Sequence, residues 1–185
     1  FMLFMYKQSG LEDKNGGKKH YYNMVKLSAA FIVFFAVSNS ISSWDWILSI
    51  DTHWFSTMFG WYHFASYWVM GLAAITLTVI YLKKAGYLKI VNENHIHDYG
   101  KYVFAFSIFW TYIWFSQFLL VYYANIPEET IYFLERVNNP LYFKVLITTL
   151  LLNFPIPMIW LMTRNSKRKM ATLQIACYII LVGHF

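Results

Sequence analysis

One cysteine, Cys177, stands in 185 residues, which excludes a disulfide framework, a thiolate cluster and a cysteine-rich zinc site. Charge is nearly as scarce. Lysine, arginine, aspartate and glutamate make up 13% of the chain, too little to cover the surface of a soluble domain of this size. No G-x-G-x-x-G, no phosphate-binding loop and no nucleophile elbow occurs, so no residue is singled out as catalytic. What is abundant is apolar and aromatic: 58% hydrophobic and 22% Phe, Trp and Tyr. Tryptophan and tyrosine at that density favour membrane interfaces. The composition is that of a membrane protein.

Four apolar runs reach the ~20 residues that cross a hydrocarbon core of ~30 Å: 24–43, 55–82, 103–123 and 143–162. Lipid offers backbone amides no partner, so each run must be helical. Two further runs, 1–6 and 171–185, read as the end of one helix and the start of another. The chain lacks an initiator Met and the pattern of a signal peptide. It is therefore expected to be one transmembrane domain over 1–185, an internal piece of a longer polytopic protein. The fold class is an all-α polytopic bundle with four full spans and two truncated ones.

The loops QSGLEDKNGGKKH, KKAGYLKIVNENHIHDYGK and RNSKRK fall on one side if every span crosses. Of 15 basic residues only Arg136 and Lys144 then lie opposite. The positive-inside tendency makes the basic loops cytoplasmic. The net charge of +6 is thus a topology signal with some affinity for anionic lipid, and no nucleic-acid partner is expected.

The stretch WDWILSIDTHWFSTMFGWYHF, from Trp44 to Phe64, falls at the outer interface. Trp44, Trp46, Trp54 and Trp61 read there as an aromatic belt anchoring two helix ends. Asp51 and His53 lie where the apolar run resumes, and His63 is expected two to three turns inside the span. Ionisable groups at that depth are costly and face a bundle interior or water. With Ser66 and Tyr67 at i+3 and i+4, His63 shares one helical face, and Asp51, His53, His63 and Tyr67 form a candidate proton route. The plain alternative is anchoring, with one interhelical hydrogen bond at His63.

Ser107, Trp110, Thr111, Trp114 and Gln117 fall on one face of their span, which should therefore turn toward other helices. In LLLNFPIPMIW, Asn153, Pro155 and Pro157 sit in mid-membrane. Each proline lacks an N–H, so the carbonyls of Leu151 and Asn153 lose their helical partners. Such a break needs water, side chains or a ligand, unless it is a simple packing kink. Gln117 and Asn153 complete the proton-pathway candidates.

His95, His97 and Asp98 lack a visible fourth ligand, so no metal site is expected and Asp98 reads as a helix N-cap. YANIPEETIYFLERVNNP reads as a short interfacial helix, with Asn125 as its cap and Glu128 at the capping-box position.

SIDTHWFSTMFGWYHF, HDYGKYVFAFSIFWTYIWFSQFLLVYYANIPEET and the terminal VGHF resemble the F subunit of bacterial alternative complex III, a quinol:cytochrome c oxidoreductase. That subunit belongs to the NrfD/polysulfide-reductase-like membrane proteins, built around four-helix bundles. The resemblance covers most of the chain and is most specific from Trp110 to Thr130. It implies a bacterial inner-membrane subunit that binds no cofactor itself and takes part in proton movement. Its implied partners are a homologous quinol-binding membrane subunit, an iron–sulfur subunit, haem c subunits and a terminal oxidase, with quinol as substrate of the complex. The family commonly has S-x-D-P-H-W where this chain has Thr52 after Asp51; the turn changes, but the acid and the imidazole remain. Two other classes compete. A haem b anchor would use His63 and His184 as axial ligands. A secondary transporter would use the break at Asn153–Pro157.

Overall fold

A computed structural model describes residues 1–16 and 18–185; Gly17, in the loop expected between the first two helices, lies outside the described residues. Every regular element described is helical. α1 (Met2–Asn15) and α2 (Lys18–Trp46) form a hairpin, and a 3₁₀ turn (Leu48–Ile50) leads toward α3 (Thr57–Lys84). α4 (Glu93–Ala124) and the short α5 (Pro127–Asn138) follow. α6 (Pro140–Asn153) and α7 (Pro155–Leu161) are two halves of one broken rod, and α8 (Arg164–Arg168) and α9 (Met170–His184) complete the chain. Four rods, spanning Lys18–Ile50, Thr57–Lys84, Glu93–Ala124 and Pro140–Leu161, are long and apolar enough to cross a membrane. The fold is an all-α bundle of membrane-spanning character.

Helix α3 is the axis of the bundle. Ala65, Val69, Ala73 and Ile80 recur on one of its faces and are fully buried against α4 and α9. Small side chains let helices approach where apolar burial alone gives no drive in lipid. At Gly60 a Cβ would stand 3.0 Å from the Cβ of Ser40, so α2 crosses α3 there at close range. The outward faces of α2 and α6 carry exposed Val33, Phe34, Val37, Leu141 and Val145, as a lipid-facing surface requires.

Several helices extend beyond the expected spans. α1 continues through LEDKN rather than opening into a loop after Tyr6; those residues are adequate helix formers with no proline among them. It stops at Gly16, whose N–H still bonds the Glu12 carbonyl at 2.9 Å while its positive φ of 65° turns the chain out of the helix. α4 starts ten residues before the expected 103 because Asn92 builds a capping box. Its side chain accepts from the N–H groups of Asn94 and His95, and His95 Nδ1 accepts from the Asn92 N–H. Asp98 is therefore not the cap; it lies within α4 and pairs with Lys101 at 2.7 Å. Asn125 is corrected too. It ends α4 in the left-handed region at φ 48°, its N–H bonded to the Val121 carbonyl, while Ile126 precedes α5 and Pro127 opens it. Glu128 consequently falls in the first turn without the expected capping-box partner.

The span expected over 143–162 is interrupted at Phe154, whose φ of −123° and ψ of −79° leave the helical region. Pro155 begins α7, where a missing N–H costs least. Lys167 donates to the carbonyls of Leu161 and Met162 at 2.9 and 3.2 Å, closing the far end of α7 with a cation.

Contacts between elements mark two ends of the bundle. Lys84 bonds Gln174 and Arg168 bonds Asn94, both at 2.8 Å, gathering the basic loops at one end. At the other, the Trp54 indole donates to the Glu129 carbonyl at 3.1 Å, and Gln117 reaches Ser56 at 3.4 Å. This second end, capped by α5, holds the candidate site.

Candidate functional site

Trp54 organises the α5 end. Only 5% of it is exposed, so it is a buried strut rather than a member of the expected interfacial belt. Trp46 and Trp61, at 81% and 51% exposure, fit that belt. The Trp54 ring stacks on Tyr132 of α5 at 3.9 Å with planes 10° apart. The Arg136 guanidinium stands 3.4 Å from the same ring centre, so tryptophan and arginine hold opposite faces of one phenol ring. Arg136 also donates to the Tyr132 carbonyl at 2.6 Å. Burial pushes the Tyr132 phenol above its ordinary value, with the Arg136 charge pulling weakly the other way. Tyr132 thus stays neutral near pH 7, and the arginine charge is left uncompensated by it.

Beneath this stack lies an open cavity of about 640 Å³. Its wall includes Asp51, His63, Trp110, Glu135 and Arg136. Among the described residues the ion pair is Lys101–Asp98; Asp51, Glu135 and Arg136 take part in none. The cavity therefore presents two carboxylates, one guanidinium and one imidazole to whatever fills it.

The sequence candidates separate into three groups. Asp51 and His63 share the cavity. Asp51 ends the 3₁₀ turn, its N–H bonded to the Leu48 carbonyl and its carbonyl accepting from Trp54 N–H at 3.2 Å. His63 comes less than two turns after the start of α3, shallower than expected, with its ring edge-on to Phe59 at 4.5 Å. His53 and Tyr67 do not line the cavity; both are exposed, although the Tyr67 ring lies 5.9 Å from that of His63. Ser66 accepts the Trp110 indole N–H at 2.7 Å and donates to the Tyr62 carbonyl, so it joins α4 rather than a string through His63. Gln117 and Asn153 lie elsewhere. Gln117 holds Ser56 at the mouth of α3.

The expected polar face of α4 does turn inward. Ser107, Trp110 and Gln117 are buried, and Thr111 and Trp114 are half-buried. Asn153, fully buried at the α6–α7 break, has neither amide atom bonded to a protein group. Gly183 of α9 lies directly against it. His184, next along, rests on Trp110 at 5.0 Å between ring centres and shares Nδ1 with the Ile180 carbonyl at 3.0 Å.

Glu135 and Arg136 were missed as site residues. They read in sequence as the solvated face of an interfacial helix, and only the Trp54–Tyr132 stack, joining residues far apart in the chain, turns them toward Asp51 and His63. The fold and the cavity define a helical membrane protein with a charged hollow at one end. No protein-family model matches the chain, and no curated protein matches it.

Proposed function

We propose that the chain is an integral membrane subunit, without a redox centre of its own, of a quinol-oxidising respiratory complex in the bacterial inner membrane, where it contributes to proton movement and assembly. Two things support this reading. The run from Trp110 to Thr130 and the SIDTHWF stretch resemble such a subunit, and Asp51 and His63 line one cavity at the α5 end. The second observation carries it. Quinol oxidation releases protons, and an exit needs a group that titrates near neutral pH followed by an acceptor open to water. Histidine has an unperturbed pKa of ~6.5, and Asp51 is exposed at the mouth. His53 and Tyr67 lie outside the cavity on exposed positions, Tyr67 with its ring 5.9 Å from that of His63.

The test is recovery of the chain from its own membrane in mild detergent. Multihaem c, iron–sulfur and homologous membrane subunits should co-purify in fixed ratio. Recovery of the chain alone, or with unrelated proteins, rejects the reading. The break at Phe154, with unbonded Asn153 beside it, favours a transporter as the second reading; substrate-dependent flux through the purified chain alone would establish that instead.

The orientation that places the basic loops in the cytoplasm has its own expected result. Lys89, Lys169 and Glu128 are all exposed. Cysteines replacing Lys89 and Lys169 should resist a membrane-impermeant thiol reagent in intact cells, while Glu128→Cys should react. Native Cys177 is buried and gives no background. Labelling at position 89 reverses the orientation.

A further inference from the structure

A groove of about 540 Å³ between α4 and the α6–α7 break shares Trp114 and Leu150 with the wall of the charged cavity. The groove is lined by Ile108, Phe115, Ile147, Leu151 and Phe154 among others. Thr111 on its wall donates its hydroxyl to the Ser107 carbonyl at 3.0 Å, which leaves that wall apolar. From Tyr142 in the cavity to Pro155 in the groove, α6 rises roughly 20 Å at about 1.5 Å per residue. One leaflet of hydrocarbon is about 15 Å deep. Side by side, with Trp114 and Leu150 between them, the two hollows outline a slot about as deep as a leaflet, charged at the interface and apolar beneath.

We infer that this slot seats one membrane phospholipid with a primary-amine headgroup: its phosphate on Arg136, its ammonium on Glu135, and one acyl chain passing Trp114 and Leu150 into the groove. Charge complementarity selects that occupant. Arg136 is held rigidly by Tyr132, and one of its donors serves the Tyr132 carbonyl. Among the described residues the remaining guanidinium donors form no ion pair with a carboxylate. Guanidinium matches phosphate in shape and charge. Glu135, the neighbouring residue on the same wall, supplies the acceptor that a primary ammonium requires and that a choline headgroup, having no N–H, cannot use. A neutral quinol leaves all three charges unmatched. An apolar helix of another protein would fill the groove but leave the charged cavity empty. The site stands independently of the respiratory proposal and does not engage Asp51 or His63 on the cavity wall.

The experiment uses the protein purified in its native assembly, exchanged into phosphatidylcholine nanodiscs and extracted for lipid mass spectrometry. About one phosphatidylethanolamine per chain should survive the exchange. Arg136→Gln should lower that retention roughly tenfold, the loss expected when charge-assisted hydrogen bonds to phosphate are removed. Ile147→Trp, which fills the groove from an exposed position, should lower it by a similar factor with Arg136 intact. Glu135→Gln should reduce the preference for ethanolamine over choline lipid to about one. Helix content and co-purifying subunits should not change in any of the three, so failure of this site is distinct from failure of the functional reading. Full retention in Arg136→Gln overturns the proposal. So does recovery of a quinol or a choline lipid in place of the aminophospholipid, or a photo-crosslink from position 147 to another protein with no lipid retained.

Discussion

Gly183→Val is expected to lower the unfolding midpoint of the purified protein sharply and to leave little of it assembled in the membrane. A Cβ at Gly183 would stand 2.6 Å from Asn153 Oδ1, 2.9 Å from its Cγ and 2.8 Å from the Leu152 Cβ. The amide could swing aside, but the Leu152 Cβ is fixed to the backbone of α6 and cannot. Helices α6 and α9 must then separate where Asn153 and Ile180 are fully buried. Overpacking of this kind costs about 1–3 kcal/mol, and valine adds two methyl groups to the clash. Gly183→Ala should show the same effect in smaller measure, and Asn153→Ala should restore part of it by removing two of the three close atoms. Gly71 provides the control. No atom lies within 4 Å of a Cβ built there, so Gly71→Ala should be neutral or slightly stabilising. An unchanged midpoint for Gly183→Val in a detergent titration would show that α9 does not pack on the break as described.

That contact also marks what could be read before folding was known. The four long rods were legible because a run of ~20 apolar residues has one stable form in lipid. The polar face from Ser107 to Gln117 was legible because a period of 3.6 places those residues together regardless of tertiary structure. Helix ends were less so. Asparagine serves both as an N-cap and as a left-handed C-cap, and the sequence around Asn125 contains a plausible version of each; the αL conformation that ends α4 took precedence. Asp98 failed as a cap for a related reason, since Asn92 six residues earlier offers the better box, with His95 at its third position.

The candidate site was legible only on one side. Asp51 stood out at the edge of an apolar run and His63 inside it, both local signals. Glu135 and Arg136 carry no such signal, because an exposed interfacial helix holds charges as a matter of course. Their placement depends on Trp54 entering the bundle rather than lying in the interface, and nothing local distinguishes it from Trp46 or Trp61. The separation of His53 and Tyr67 from the cavity has a similar origin. Sequence spacing fixes the face of α3 on which a residue lies, but the cavity edge is drawn by α5 and α6.

If the chain serves the quinol-oxidising complex proposed above, His63→Phe should slow its turnover by roughly a hundredfold or more, the range that a positioned proton-transfer group contributes. Phenylalanine preserves the ring that meets Phe59 at 4.5 Å and Tyr62 at 5.6 Å, so helix packing should be undisturbed and the variant should assemble. What it loses is the titrating nitrogen on the cavity wall. If protons leave through this hollow, the limb of the pH–rate profile that reports the imidazole should flatten. Asp51→Asn should slow turnover as well but leave that limb in place, because the imidazole still titrates while the exit acceptor is gone. His53→Gln, on the surface outside the cavity, should do neither. A His63→Phe complex that oxidises quinol at the normal rate, with unaltered pH dependence and proton release, would reduce the stretch from Trp44 to Phe64 to an anchor. The cavity would then be left with the Glu135 and Arg136 wall alone.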